Sequence, residues 1–221
     1  MRSSSPVDGP GSQPAAALAD RRPPRVYLEV GRAWVFACAL DWHGWCRRAR
    51  GRAESLQALR DYAPRYFRAV DLPGPDGEVE VLGEIAGDAT TEFGAPGTPT
   101  PWDEESSPVQ ELTRLARVAE ACWSYFDAVA GSTSGELSRA PRGGGRSLDR
   151  IVEHVREAER MYARRLAVAL SRGAPWEEQR RALSAAWRSG APGARWPVRY
   201  GIRRCAWHVL DHAFEIQDRS G

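Results

Sequence analysis

The residues of this chain best placed to do chemistry are two histidines four apart, His208 and His212, in Trp207-His208-Val209-Leu210-Asp211-His212. On an α-helix, positions i and i+4 share one face a turn apart, so both imidazoles can reach a single cation. The surrounding pattern is helical. Val198, Ile202, Cys205, Val209, His212 and Ile216 recur at helical spacing, which sets His212 in the apolar stripe and His208 at its border. A third imidazole, His154, lies on another helical pattern, with Ile151, Ala158 and Met161 at neighbouring-turn spacing. The chain has four histidines, and these three fall together in its C-terminal third. Each nitrogen of a buried imidazole needs a partner. One cation held by His154, His208 and His212 would satisfy three nitrogens at once, with coordination positions left for water or substrate. Without a cation, several compensating hydrogen bonds are needed.

Other side chains near these positions have both a chemical reading and a structural one. Arg203-Arg204 lie about one turn before His208. A guanidinium at a pocket mouth could clamp a carboxylate, and Arg204, one turn from His208, is the better candidate. Cys205 could be a fourth ligand, although a free Cys on an apolar stripe is more often a small buried hydrophobe. Asp211, Glu215, Glu153 and Glu157 could orient a histidine or accept a proton. The favoured reading of each is a solvated helix charge paired with a nearby arginine. His43, between Trp42 and Gly44, reads as a turn residue outside the cluster. Gly143-Gly144-Gly145 lacks a preceding strand and the spacing of a phosphate cradle, and reads as a loop.

Composition narrows the field. Of 221 residues, 31 are basic, and every one of them is Arg; there is no Lys and no Asn. Lysine Schiff-base, lysine nucleophile and P-loop chemistry are therefore excluded. Against 29 acidic residues the net charge is +2, too small to argue for a nucleic-acid surface. A hydrophobic fraction of 42% with nine Trp indicates a packed globular chain, and no stretch reaches the ~20 apolar residues of a membrane span. Residues 1–20 have no apolar core of a secretory signal, so a cytoplasmic protein is expected. Cys38, Cys46, Cys122 and Cys205 form no CxxC and read as reduced thiols.

The elements that must position the histidines follow from periodicity and punctuation. Residues 1–24 read as a disordered lead. In residues 25–86, strands are expected at 25–30, 34–40, 45–50 (an edge) and 78–85, with a helix at 54–62 that Pro64 interrupts. Residues 87–105, with Gly94, Pro96, Gly97, Pro99 and Pro101, have linker composition. From 106 to 221 four amphipathic helices are expected: from Ser107-Pro108 to Gly131, from Ser147 to about Leu166, across Trp176–Ser189, and from Trp196-Pro197 onward. The fold class is thus α+β: a small β-β-β-α-β module followed by an all-α up-down four-helix bundle.

With His154 on the second of these helices and an HxxxH pair, His208 and His212, on the fourth, residues 107–218 resemble the DinB/YfiT-like superfamily of four-helix bundles. The resemblance implies a divalent metal, zinc or nickel, bound by three histidines with open positions. It also implies activities such as S-transfer from bacillithiol, mycothiol or glutathione. Mycothiol is the expectation if the GC-rich composition reflects an actinobacterial source. In the first module, Trp34-Val35-Phe36-Ala37, Leu40-Asp41-Trp42-His43-Gly44-Trp45-Cys46 and Glu54-Ser55-Leu56-Gln57-Ala58-Leu59 resemble the HicB antitoxin-like β-β-β-α-β pattern. Trp-His stands where that pattern has Leu-Pro, and no DNA-binding tail follows. The resemblance therefore implies an accessory, dimerising or partner-binding module. Two functions are expected from these readings. One is a metal-dependent thiol S-transferase or hydrolase acting on a small molecule. The other is a non-catalytic metal- or ligand-binding regulatory protein, as a homodimer or with a partner.

Overall fold

A computed structural model describes residues 23–75, 77–134, 136–138, 145–190 and 195–220. Most of the expected lead, and Gly143 and Gly144 of the glycine run, lie outside the described residues. The chain is α+β. A four-stranded mixed sheet is built from β1 (Arg25–Val30), β2 (Val35–Ala39), β3 (Cys46–Ala49) and β4 (Glu80–Ala86), with α1 (Arg52–Ala69) between β3 and β4. The order across the sheet is β3-β2-β1-β4, which is not the order along the chain. β1, β2 and β3 are antiparallel neighbours, and the crossover through α1 returns β4 parallel to β1. α2 (Ala89–Phe93) and a 3-10 turn (Pro101–Asp103) follow, then α3 (Val109–Ser132), α4 (Leu148–Arg165), α5 (Trp176–Ser189) and α6 (Val198–Arg219). Among the described residues no helix is long and apolar enough to cross a membrane.

Strand alternation gives the sheet two buried faces. Val26, Leu28, Val35, Ala37 and Ala39 face α1 and join a core that continues into α3, α4, α5 and α6. Tyr27, Phe36, Cys38, Leu40 and Cys46 face the other way and are covered by Ala95, Trp102 and Trp207. α1 runs through Pro64, although the sequence suggests a break there. Pro64 and the Arg60 carbonyl that loses its helical donor both lie on an exposed face, while Tyr62, Tyr66 and Phe67 are buried on the other side. Burial of three aromatic rings outweighs one lost, solvent-reachable hydrogen bond.

Residues 87–105 are not a bare linker, because their polar groups seal the second face of the sheet. Asp88 caps α2, and the Thr91 hydroxyl, the Gly97 N–H and the Thr98 N–H all donate to the buried Glu29 carboxylate. Tyr200 on α6 donates to the Gly97 carbonyl at 2.6 Å. Asp103, in the 3-10 turn, accepts from Arg203 Nη2 at 2.5 Å, and the same guanidinium donates to the Tyr27 hydroxyl. Composition reads Gly and Pro as disorder when their donors and acceptors have no visible partner; here Glu29 and Arg203 supply the partners from distant sequence.

In the helical part, α6 packs on α3 and α4, and α5 packs on the same two helices. α6 is buried along most of its length. Glu159 of α4, fully buried, accepts from Trp176 Nε1 at 2.6 Å and from Arg180 of α5, whose other nitrogen reaches Asp127 of α3 at 2.8 Å. The turn between β2 and β3 is pressed onto α6. Gly44 has φ +94°, and a Cβ there would lie 2.8 Å from Leu210 Cδ1.

The Arg203–Asp103 pair, with side chains 6% and 1% exposed, sets a prediction. Asp103→Ala leaves a buried guanidinium without its counter-charge and is expected to cost about 3–5 kcal/mol in chemical denaturation. Glu84→Ala, which breaks the solvent-exposed Arg52–Glu84 pair, is expected to leave the midpoint unchanged.

Candidate metal centre

α4 and α6 face one another, and this brings the three histidines together. His154, His208 and His212 each offer a ring nitrogen, and the three nitrogens lie within 4.8 Å of one another. His154 Nε2 and His208 Nε2 are 3.2 Å apart. Nitrogens bound at ~2.05 Å to one tetrahedral ion sit about 3.3 Å apart, so this pair already has ligand spacing. Two Nε2 atoms aimed at each other must share either a proton or a cation. The rings of His154 and His212 are 5.0 Å apart and those of His208 and His212 4.7 Å apart, both edge to face.

His212 is held in one orientation. Its Nδ1 lies 2.8 Å from Glu215 Oε2, and Arg219 Nη1 donates to Glu215 Oε1 at 2.7 Å. Arg219 is fixed in turn by donating to the Ser138 and Arg146 carbonyls. With Nδ1–H donating to the carboxylate, Nε2 keeps its lone pair for a ligand, which is how metal-binding histidines are usually oriented. Glu215 therefore orients a histidine and is not a solvated helix charge, while a nearby arginine, Arg219, binds the same carboxylate. The signal was present as a carboxylate at i+3 from His212. Glu153 pairs with Arg156 on the surface, and Glu157 and Asp211 are exposed.

Burial, then the nearby His212, holds His154 below the ordinary imidazole value; the same two causes, followed by Arg204, hold His208 well below it. Both are neutral near pH 7 and present lone pairs. Tyr162 on α4 meets His208 edge to face at 5.8 Å, and burial pushes its phenol up to about 12, so it stays protonated. Arg204 lies over the Trp207 ring at 4.7 Å and reaches the Pro96 carbonyl, beside His208. Cys205 is buried in the helical core and is not among the grouped donor residues.

No known protein family, curated protein or solved structure matches this chain. The donor geometry stands by itself.

His43 lies apart from the cluster. The turn expected at 41–44 forms, but its histidine is buried to 1% exposure, and neither ring nitrogen has a hydrogen-bond partner among the described residues. Burial, then Arg199 and Arg203, holds it well below the ordinary value. The unfolded chain takes up a proton near pH 6.5, while the folded chain keeps the ring neutral. Stability present above that pH is therefore lost as pH falls toward the folded value, by up to about 1.4 kcal/mol per pH unit. His154 and His208 act in the same direction. The comparison is thus between chelator-treated wild type and His43→Leu, by denaturant unfolding from about pH 7 to pH 5. The variant is expected to show the shallower pH slope, and equal slopes would refute the assignment.

At the cluster, Glu215→Ala is expected to weaken zinc binding about 10- to 100-fold in a chelator competition titration while the helical circular dichroism persists.

Proposed function

We propose that this chain is a divalent-metal-dependent protein in which His154, His208 and His212 hold zinc or nickel, and that it catalyses S-transfer from a small thiol or hydrolysis. The observation that carries the reading is the convergence of three ring nitrogens from two facing helices, with His212 oriented by Glu215. α3, α4, α5 and α6 are read as an up-down four-helix bundle of the DinB/YfiT-like type. The sheet with α1 is read as a HicB-like accessory module. Support comes from the position of His154 on the second of the four helices and the HxxxH pair on the fourth.

When bound, the ion supplies Lewis acidity that makes a nucleophile available near neutral pH. The side chains around it divide the remaining work. Glu215 is an acceptor and not a proton shuttle, since both its oxygens are engaged and the His212 hydrogen bond holds its carboxyl below the ordinary range. Tyr162 is a protonated donor at the His208 edge. Arg204 adds positive charge on the His208 side, suited to orienting an anionic group such as a carboxylate of a low-molecular-weight thiol or of an acidic substrate.

The test is elemental analysis of purified protein, followed by a thiol-transfer assay. One zinc or nickel per chain is expected in the wild type, and His208→Ala is expected to lose it at unchanged helix content. A wild type that stays metal-free after incubation with either ion overturns the reading. A metal-loaded protein inactive toward every small thiol and ester offered would retain the site and remove the catalysis.

A further inference from the structure

β2 and β3 each carry a cysteine, and their register sets Cys38 directly opposite Cys46. Beside this pair the Ala39 N–H donates to the Trp45 carbonyl. Bonded and non-bonded positions alternate along an antiparallel ladder, so the two cysteines occupy a non-bonded position. There the Cα atoms come within about 4.5 Å and the side chains are closest. A disulfide spans Cα separations of about 4.4–6.8 Å. The two sulfurs are 3.0 Å apart and both are free thiols. Oxidation would close this gap without moving either strand far.

Reaction at this pair depends on its geometry and on opening of β3, because burial in the closed fold holds back the Cys46 thiolate. A small cavity is lined by both cysteines together with Gly44, Arg203, Arg204 and Trp207. Burial raises the Cys46 thiol, its hydrogen bond with Cys38 raises it further, and the charge of Arg203 acts in the opposite direction. β3 is four residues long and lies at the sheet edge, so local opening of that strand exposes Cys46 without unfolding the core. Cys122 and Cys205 are buried in the helical core, on α3 and α6.

We propose that Cys38 and Cys46 are a redox-modification site that takes a low-molecular-weight disulfide as oxidant. The Cys46 thiolate attacks one sulfur of the oxidant, RSSR, forming a mixed disulfide and releasing one thiolate. Cys38 then attacks the Cys46 sulfur, forming the Cys38–Cys46 bond and releasing the second thiol. The two cysteines lose two electrons and two protons, and RSSR leaves as two RSH. In a reducing compartment the pair rests as thiols and reacts when the small-thiol pool is oxidised.

The experiment uses the full chain, folded, in oxidised glutathione. The reaction is quenched by alkylation in denaturant and read by intact mass and peptide mapping. The wild type is expected to lose the mass of two hydrogens, to protect two of its four thiols, to link the two strand peptides, and to revert with dithiothreitol. The cross-linked form should melt at a higher temperature than the reduced one. Cys38→Ser is expected to stop at a glutathione adduct on Cys46, and Cys46→Ser to form no cross-link. Four alkylated thiols after incubation, or a cross-link through Cys122 or Cys205, would overturn the proposal. Because the wild-type mass and peptide map together decide, a variant that folds poorly does not obscure the answer, and no outcome depends on metal binding.

Discussion

A guanidinium buried near the start of a helix must be neutralised, and the way Arg203 of α6 is neutralised governs much of this architecture. Its partners are Asp103, at the end of the 3-10 turn after the sheet, and Tyr27, in β1. To reach Arg203, residues 87–105 must lie between the sheet and α6, and the second face of the sheet must turn toward that helix. Glu29 imposes the same geometry with opposite charge, as its carboxylate collects a hydroxyl and two backbone N–H groups from this segment. An ion buried alone would cost far more than the contacts around it return, so the charged pairs fix which surfaces meet.

α6 is therefore held on several sides before any ligand is considered, and this gives the histidines their order. His208 and His212 project from a helix with little freedom to rotate. His154 approaches from α4, which Glu159 ties to α5 through Arg180. Rigid helices on both sides are the condition for a preformed donor set. Desolvation depresses the protonation of His154 and His208, and the same burial leaves their lone pairs in need of a partner. Burial and coordination therefore push these imidazoles toward the same protonation state.

Much of this was legible in the sequence. The four later helices, the strands and the three clustered histidines follow from period and spacing, because each is a local pattern or a count of rare residues. What was not legible depends on partners far away in the chain. Pro64 reads as a break unless Tyr66 and Phe67 are known to be buried beyond it. Residues 87–105 read as a linker because nothing local announces Glu29 or Arg203 as their partners. His43 reads as a turn residue, structural or exposed, and the choice between the two is made only by its burial in the fold. Glu215 was legible in spacing but not in role, since an acid at i+3 from a histidine is equally at home in solvent. Its role is decided by Arg219 and by the Ser138 and Arg146 carbonyls behind it.

The hydrogen bond between Arg203 and Tyr27 joins residues 176 positions apart. Contacts of such long sequence separation close large loops, and chains that depend on them fold slowly. During synthesis the sheet emerges before α6, with one apolar face and a buried-type glutamate uncovered, and it must wait for that helix to seal it. The nascent chain thus exposes Tyr27, Phe36 and Leu40 until α6 has emerged. The evolutionary corollary is that α6 cannot be exchanged freely with other partners, because the sheet and the segment after it complete the solvation of the arginine buried on it.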